Sequence, residues 1–299
     1  MTPYDAEVAD GFIVTGPPLA QVVEKGRAAA PYDTPILIEG EAGTGKEALA
    51  RHLHAAGGRA AGPFQVYPCD APATELREAI EAALGGTLYL DAIDALPLPA
   101  QPPLLRTLER LLPRPGRRAP LRIMAASTTD LREASREGRF RHDLYYRLAV
   151  VRLRIPPLRQ RPGDLAALLD AQLARVNATY GLTRRFAPEL REALLAYPWP
   201  GNVRELVNVV EAMALTARHD ELSLADLPDD LGVLHRPGAA AAGDLLEGSG
   251  SMAEALAAFE KALIARALRV KGSTHQAAKV LKLDQSTVYR KAKKYRLLD

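Results

Sequence analysis

Gly40-Glu41-Ala42-Gly43-Thr44-Gly45-Lys46-Glu47 fits the pattern G-x-x-x-x-G-K. The apolar run Ile36-Leu37-Ile38 stands before it and a helical pattern opens after it, the context a phosphate-binding loop requires. The glycines let consecutive backbone N–H groups turn toward phosphate oxygens. The helix N-terminus adds positive potential, and the Lys46 ammonium reaches the outer phosphates. The bland alternative, a glycine-rich strand-to-helix turn, is disfavoured because strand and helix both fall where the motif needs them.

Downstream, Gly85-Gly86-Thr87-Leu88-Tyr89-Leu90-Asp91 reads as an apolar strand ending in a carboxylate. Asp91 would hold Mg²⁺, directly or through water, beside a nucleoside triphosphate such as ATP. Working outward, short β-rich runs are expected at Pro35–Glu39, Phe64–Tyr67, Thr87–Asp91, Leu121–Ala126 and Val150–Ile155. Helical stretches are expected at Glu47–Ala56, Thr74–Leu84, Ala100–Leu112 and Arg141–Leu148. This alternation predicts an α/β fold with a parallel sheet flanked by helices. Residues 163–227 lack strand signals and carry helical spacing at Leu165, Leu168, Leu169 and Leu173, at Leu190, Leu194 and Leu195, and at Val203, Leu206, Val207 and Val210. They read as a small all-helical unit. Residues 228–250, rich in Gly, Ala and Pro, read as a flexible linker.

The chain has 299 residues, a prior of about two domains. One cysteine, Cys69, excludes an intrachain disulfide and a multi-cysteine zinc site. The six histidines show no metal-ligand spacing. No apolar run is long enough to span a membrane, and Met1 to Phe12 does not read as a signal peptide, so the expected location is cytoplasmic. The net charge of +3 conceals an asymmetry: Lys261 to Asp299 holds 11 Lys and Arg against 2 acidic residues, while the remainder is net acidic. A basic end on an acidic body suggests a polyanion partner for that end.

That end carries a helix-turn-helix pattern. A long helix begins at Ser251, which with Glu254 forms a capping box, and Met252, Leu256, Phe259, Leu263, Ala267 and Val270 keep one face apolar. Gly272-Ser273 breaks it. Ser273 or Thr274 caps a second helix, His275–Leu281. Lys282-Leu283 turns to Asp284, a good N-cap for Gln285–Tyr295. Val288 and Ala292 face inward, with Ala277, Ala278 and Leu281 completing a small core. Gln285, Ser286, Thr287 and Arg290 are candidates for base contacts with double-stranded DNA. Lys291, Lys293, Lys294 and Arg296 are candidates for phosphate contacts. Tyr289, Tyr295, Trp199 and Cys69 read as packing residues.

GEAGTGKE, GGTLYLDAIDALPLPAQPPLLRTLE, RFRHDLYYRLAVVRLRIPPLRQR and YPWPGNVREL together resemble the AAA+ domain of sigma-54-dependent bacterial enhancer-binding activators, and the C-terminal end resembles their Fis-type helix-turn-helix. The resemblance runs from about Thr15 to Leu298. It implies an AAA+ parallel sheet over residues 1–162, a helical lid over 163–227, the linker at 228–250 and a small all-α DNA-binding domain at 251–299. It implies ATP and Mg²⁺ as ligands and a homodimer or higher oligomer. Gly40 to Glu47, Lys46 above all, would bind the nucleotide, and Asp91 the metal. Arg141 and Arg147, in RFRHDLYYRL, would reach a neighbouring subunit's nucleotide, and Arg204, in PWPGNVREL, would be the lid's sensor arginine. Glu47 follows the lysine in this family as a rule.

Several positions depart from the family pattern. The residue after Asp91 is Ala92, where the family has the glutamate that polarises attacking water, so no catalytic residue is assigned. Pro68 stands where an Asn often holds that glutamate, and Thr128 replaces the sensor Asn. Asp94, three residues beyond Asp91, points elsewhere and is not taken as a substitute base. Only Ala71–Leu84 fills the gap where the family carries a long insertion with the GAFTGA loop that grips sigma-54. No receiver or ligand-sensing domain is expected ahead of the AAA+ region. These departures imply a DNA-binding transcription regulator that binds ATP, hydrolyses it poorly and acts without sigma-54, with RNA polymerase as a possible partner. The alternatives are an active ATPase that remodels sigma-54, a nucleotide-free oligomerisation scaffold, and a subunit of a mixed ring.

Overall fold

The computed structural model describes residues 12–113, 119–228, 251–271, 273–281, 283–295 and 297. Residues 229–250 of the expected linker, Met1 to Gly11, Gly272, Lys282 and Arg296 lie outside them, as do the side chains of Glu254, Phe259 and Val270.

Five strands form one sheet: β1 (Ile36–Glu39), β2 (Phe64–Pro68), β3 (Thr87–Asp91), β4 (Arg122–Ser127) and β5 (Val151–Arg154). Their order is β2-β3-β4-β1-β5, and every pair is parallel. All five fall within a residue or two of the sequence reading. β1 leads away to β2 at the far edge, while its own neighbours are β4 and β5. The connection out of β1 runs to one edge of the sheet, while the connection out of β4 passes β1 to reach β5 at the other, and ligands of open α/β sheets sit at such a switch point beyond the carboxyl ends of the strands.

Strand alternation sorts the core into two layers. Leu37, Leu88, Leu90, Ile123 and Ala125 pack on one face with Leu104, Leu108, Leu131, Leu144 and Leu148. Ile36, Ile38, Tyr89, Met124 and Ala126 pack on the other with Leu19, Val23, Leu49 and Leu53. The helices supplying these side chains are α1 (Pro17–Ala29), α2 (Lys46–Ala55), α4 (Gln101–Leu111), α5 (Leu131–Arg136) and α6 (His142–Leu148), and α3 (Ala73–Ala82) adds Ala79 to the first layer. Each fully buried Leu or Ile contributes about 1.5–3 kcal/mol. α1 and α5 went unread in the sequence. Four of α1's positions, Leu19, Ala20, Val23 and Gly26, are buried, but two of those are too small to mark an apolar stripe.

The first compact unit runs to Thr183 and includes Pro198–Ala214, so it contains α7 (Pro162–Tyr180) and most of α9 (Asn202–Thr216). The second takes Arg184–Tyr197 and the chain from Leu215, with α8 (Pro188–Ala196) and three C-terminal helices. The segment read as all-helical contains two strands, β6 (Arg185–Phe186) and β7 (Glu221–Leu222), paired in parallel. At two residues each they are too short for alternation to register.

The C-terminal helices are α10 (Met252–Lys271), α11 (Thr274–Leu281) and α12 (Gln285–Lys294). Ile264, Ala267, Ala277, Ala278, Val288 and Ala292 form their core, with Leu281 packed against it. Ile264 was missed by the sequence reading, and Met252 and Leu256, read as part of one apolar face, are about 60% exposed.

Candidate functional site

β1 delivers the chain to the carboxyl edge of the sheet, where the loop from Gly40 to Gly45 begins. Gly43 (φ +75°) and Gly45 (φ +99°) adopt left-handed conformations that glycine accepts without strain. Gly43 also has no room for a side chain, since a Cβ there would lie 2.3 Å from the Gly201 carbonyl oxygen. Gly45 caps α2, so the first amides of that helix face the loop. Lys46 Nζ donates to the carbonyls of Gly40 (2.7 Å) and Glu41 (2.9 Å). Burial lowers the Lys46 pKa and Arg204 adds to that, while Asp91 and Asp94 oppose it.

The end of β3 faces the same loop. Asp91 Oδ1 accepts from the Ala92 backbone N–H at 3.0 Å and from the Tyr89 hydroxyl at 3.4 Å. Ala92 takes φ +49°, and this left-handed step turns the chain into the short helical turn Ile93–Ala95. Asp94 is thereby brought back to the carboxyl edge. Its Oδ2 accepts from the Thr128 hydroxyl at 2.5 Å, and both its oxygens stand 3.2 Å from the Thr128 backbone N. Asp94, not taken as a substitute base from the sequence, lies beside the end of β4, bound to Thr128.

A cavity of about 450 Å³ opens here, lined by Ala42, Gly43, Gly45, Lys46, Glu47, Tyr89, Asp91, Ala92 and Thr128, and by Val203, Arg204, Val207 and Asn208 of α9. It gathers most of the nucleotide-binding residues expected from the sequence. Gly40, Glu41 and Thr44 belong to the loop but not to this wall. Thr44 is buried, with its hydroxyl on the Glu41 carbonyl at 2.8 Å. Glu47 pairs with Arg51, whose Nε and Nη2 both reach Oε1. Asp91 is thus the wall's carboxylate outside any ion pair among the described residues, although Lys46 feels its charge. One carboxylate beside phosphate oxygens suits Mg²⁺, which keeps much of its water and asks few protein ligands. Such an ion would supply neutralising charge between phosphates.

Three residues that hold the loop escaped the sequence reading. Asn202 is fully buried at φ +54°, a conformation Asn tolerates better than most residues. Its Nδ2 donates to Ala42 O (3.0 Å) and Glu41 Oε2 (3.2 Å), while its Oδ1 accepts from the Leu158 N–H (2.8 Å). Next to it, the Val203 N–H donates to Gly43 O at 2.9 Å. Arg159 grips Glu41 with two bonds, at 2.7 and 2.9 Å, and holds its carboxyl below the ordinary range. Buried Arg161 donates to Thr44 O at 2.8 Å. These partners lie more than 115 residues from the loop. The one local sign was Pro200-Gly201-Asn202, a turn-forming run.

Arg141 and Arg147 do not line this cavity. Both are exposed at the two ends of α6. Arg141 pairs with Asp143 at 2.7 Å, and Arg147 stands 3.7 Å from Glu109.

In the C-terminal helices, Ser273 caps α11, its hydroxyl accepting from the Gln276 N–H. Asp284 occupies the N-cap position of α12, yet its side chain makes no capping bond. Gln285, Ser286, Arg290, Lys293 and Lys294 are exposed, and Thr287 is half-buried. Lys291 is turned inward to Glu260 of α10, which also accepts from the Tyr295 hydroxyl at 2.7 Å. Tyr289, read as a packing residue, is 52% exposed, whereas Trp199 and Cys69 are buried as expected. No helix among the described residues is long and apolar enough to cross a membrane.

Residues 16–158 match the sigma-54 interaction domain, 159–242 the AAA+ ATPase lid domain and 249–298 a helix-turn-helix domain. The chain is 38% identical over 314 residues to the alginate biosynthesis transcriptional regulatory protein AlgB of Pseudomonas aeruginosa, covering 96% of this chain and 68% of AlgB. It is 36% identical to the hydrogenase transcriptional regulatory protein HoxA of Bradyrhizobium diazoefficiens, over 95% of this chain and 64% of HoxA. NtrX from Brucella abortus, crystallised in complex with ATP, superposes with a TM-score of 0.70 at 30% identity, covering 95% of this chain and 69% of NtrX.

Proposed function

Because the chain belongs to the family of transcriptional regulators that join a sigma-54 interaction domain, an AAA+ lid and a helix-turn-helix, we propose that it binds DNA and ATP but turns ATP over slowly or not at all. The DNA-binding regulator is the family's common character. The weak turnover and the independence from sigma-54 rest on this chain's own residues.

One observation carries the reading. The cavity keeps a phosphate loop, a buried lysine and Asp91, yet the residue following Asp91 is Ala92, with no proton acceptor. A positioned general base contributes typically 10²–10⁴-fold. Lys46 would turn from its carbonyl partners to the outer phosphates, Asp91 would hold Mg²⁺, and Arg204 would meet the phosphates from α9. The short segment Ala71–Leu84, where the family carries its sigma-54-gripping loop, supports action without sigma-54. Nucleotide bridging Lys46 of one subunit and Arg141 or Arg147 of the next would favour homo-oligomers by linkage. A cytoplasmic location, and contact with RNA polymerase at a promoter, fit this reading.

Titration with a fluorescent ATP analogue and assay of phosphate release test it together. Tight binding with release near background is the expected result, and Lys46→Ala abolishes the binding. Turnover at rates ordinary for the family overturns the proposal, and absence of binding leaves the scaffold reading. Arg141 and Arg147 are present and exposed although the residue after Asp91 is Ala92, which favours one second reading: a mixed ring in which they serve a neighbour of different sequence. Stimulation of a relative's ATPase by this chain would establish it.

A further inference from the structure

α12 has two faces. Val288 and Ala292 are fully buried against α10 and α11. The face flanking that buried pair exposes Gln285 and Ser286 in the first turn of the helix, Tyr289 and Arg290 in its second, and Lys293 in its third. Residues three and four apart share a helix surface, so these five form one stripe. Tyr289 is its aromatic member. Tyr295, packed against that core, is tied to Glu260 through its hydroxyl. Tyr289 has no hydrogen-bond partner and no ring contact among the described residues, and its ring is half exposed.

We propose that Tyr289 reads sequence, its ring lying against the C5-methyl group of a thymine in the major groove. The inference rests on the DNA-binding reading and deepens it. A recognition helix approaches base edges with its first two turns. In the major groove the thymine methyl is the apolar feature of the edge pattern, and apolar side-chain atoms are what it accepts. The neighbours agree. Gln285 and Ser286 offer hydrogen bonds one turn earlier. Arg290 and Lys293 put positive charge on the same stripe, within a segment holding 11 basic residues against 2 acidic ones. A second copy of the chain is the poorer occupant. A two-fold contact through Tyr289 would set Arg290 and Lys293 of one copy against the same residues of the other.

The test uses the full chain and a duplex selected from random double-stranded DNA. Thymines are replaced one at a time by uracil, which removes the methyl group alone. One position is expected to weaken the wild-type chain by roughly three- to tenfold, the worth of one methyl group buried against a ring. Tyr289→Ala should lose a similar factor on the unsubstituted duplex and become indifferent to uracil at that position. Its affinity for an unrelated duplex and its salt dependence should stay unchanged. Tyr289→Phe, which keeps the ring, should behave as wild type. A scan with no sensitive position, or equal sensitivity in wild type and Tyr289→Ala, overturns the proposal while DNA binding stands. Loss of specific and unrelated binding together in Tyr289→Ala overturns it too, as does conversion of a dimer to a monomer in sedimentation. A wild-type chain that binds no duplex overturns the DNA-binding reading itself. The uracil scan on the wild-type chain decides the question even if a variant folds poorly.

Discussion

The Asp94 carboxylate is held by Thr128, whose hydroxyl lies 2.5 Å from Oδ2 and whose backbone N lies 3.2 Å from both carboxylate oxygens. An acceptor so engaged is a fastening between two strand ends rather than a free base. Asp94→Asn should therefore leave phosphate release where the wild-type chain has it, near background. Ala92→Glu should raise it, recovering part of the 10²–10⁴-fold that a general base supplies. A continuous phosphate assay on the two variants separates the roles, and a fall confined to Asp94→Asn would reverse them.

Asn202 spans the loop and the turn before α7 from a buried position. Asn202→Ala removes the partner of the Leu158 N–H and of the Ala42 carbonyl, at a cost of about 2–3 kcal/mol. Urea denaturation measures that loss. Arg159→Ala breaks an ion pair whose side chains are 42–43% exposed, and should cost under about 1 kcal/mol. Binding of an ATP analogue should weaken more in Asn202→Ala than in Arg159→Ala.

Burial, reinforced by Asp91, Asp70 and Asp94, pushes the Cys69 thiol up to about 12. An unfolded chain loses that proton near 8.5. Between those values the folded state binds more protons, so stability falls as pH rises, by about 1.4 kcal/mol per pH unit from this group. Denaturation at pH 8 and pH 10 should show a shallower decline for Cys69→Ala than for the wild-type chain. Native protein at neutral pH should resist iodoacetamide until it is unfolded.

Lys293 and Lys291 stand two residues apart with opposite assignments. Lys293 is exposed, and Lys293→Ala should reduce the log–log salt slope of DNA binding by about 0.9. Lys291 is spent on Glu260, so Lys291→Ala should leave the slope in place and lower stability by about 0.5 kcal/mol. Binding at several salt concentrations distinguishes them.

The five strands and the phosphate loop were readable because their signals are local: β1 is four consecutive buried residues, and the loop's glycines are fixed by backbone conformation. Asn202, Arg159 and Arg161 were not, because their partners lie over a hundred residues away and nothing at either end announces the other. Tyr289 was misread for a related reason. An aromatic side chain next to Val288 looks like core until the helix phase is settled by Val288 and Ala292 together. The paired strands β6 and β7 carry two residues each, too few to show a period.

Gly43 gives its carbonyl to Val203 and lies so close to the Gly201 carbonyl that no side chain fits, so the crest of the loop is fastened to the head of α9. Were a triphosphate to settle in the cradle, adjusting the crest would pull on the helix that bears Arg204. Occupancy would then be a mechanical event, its lever arm attached before any ligand arrives.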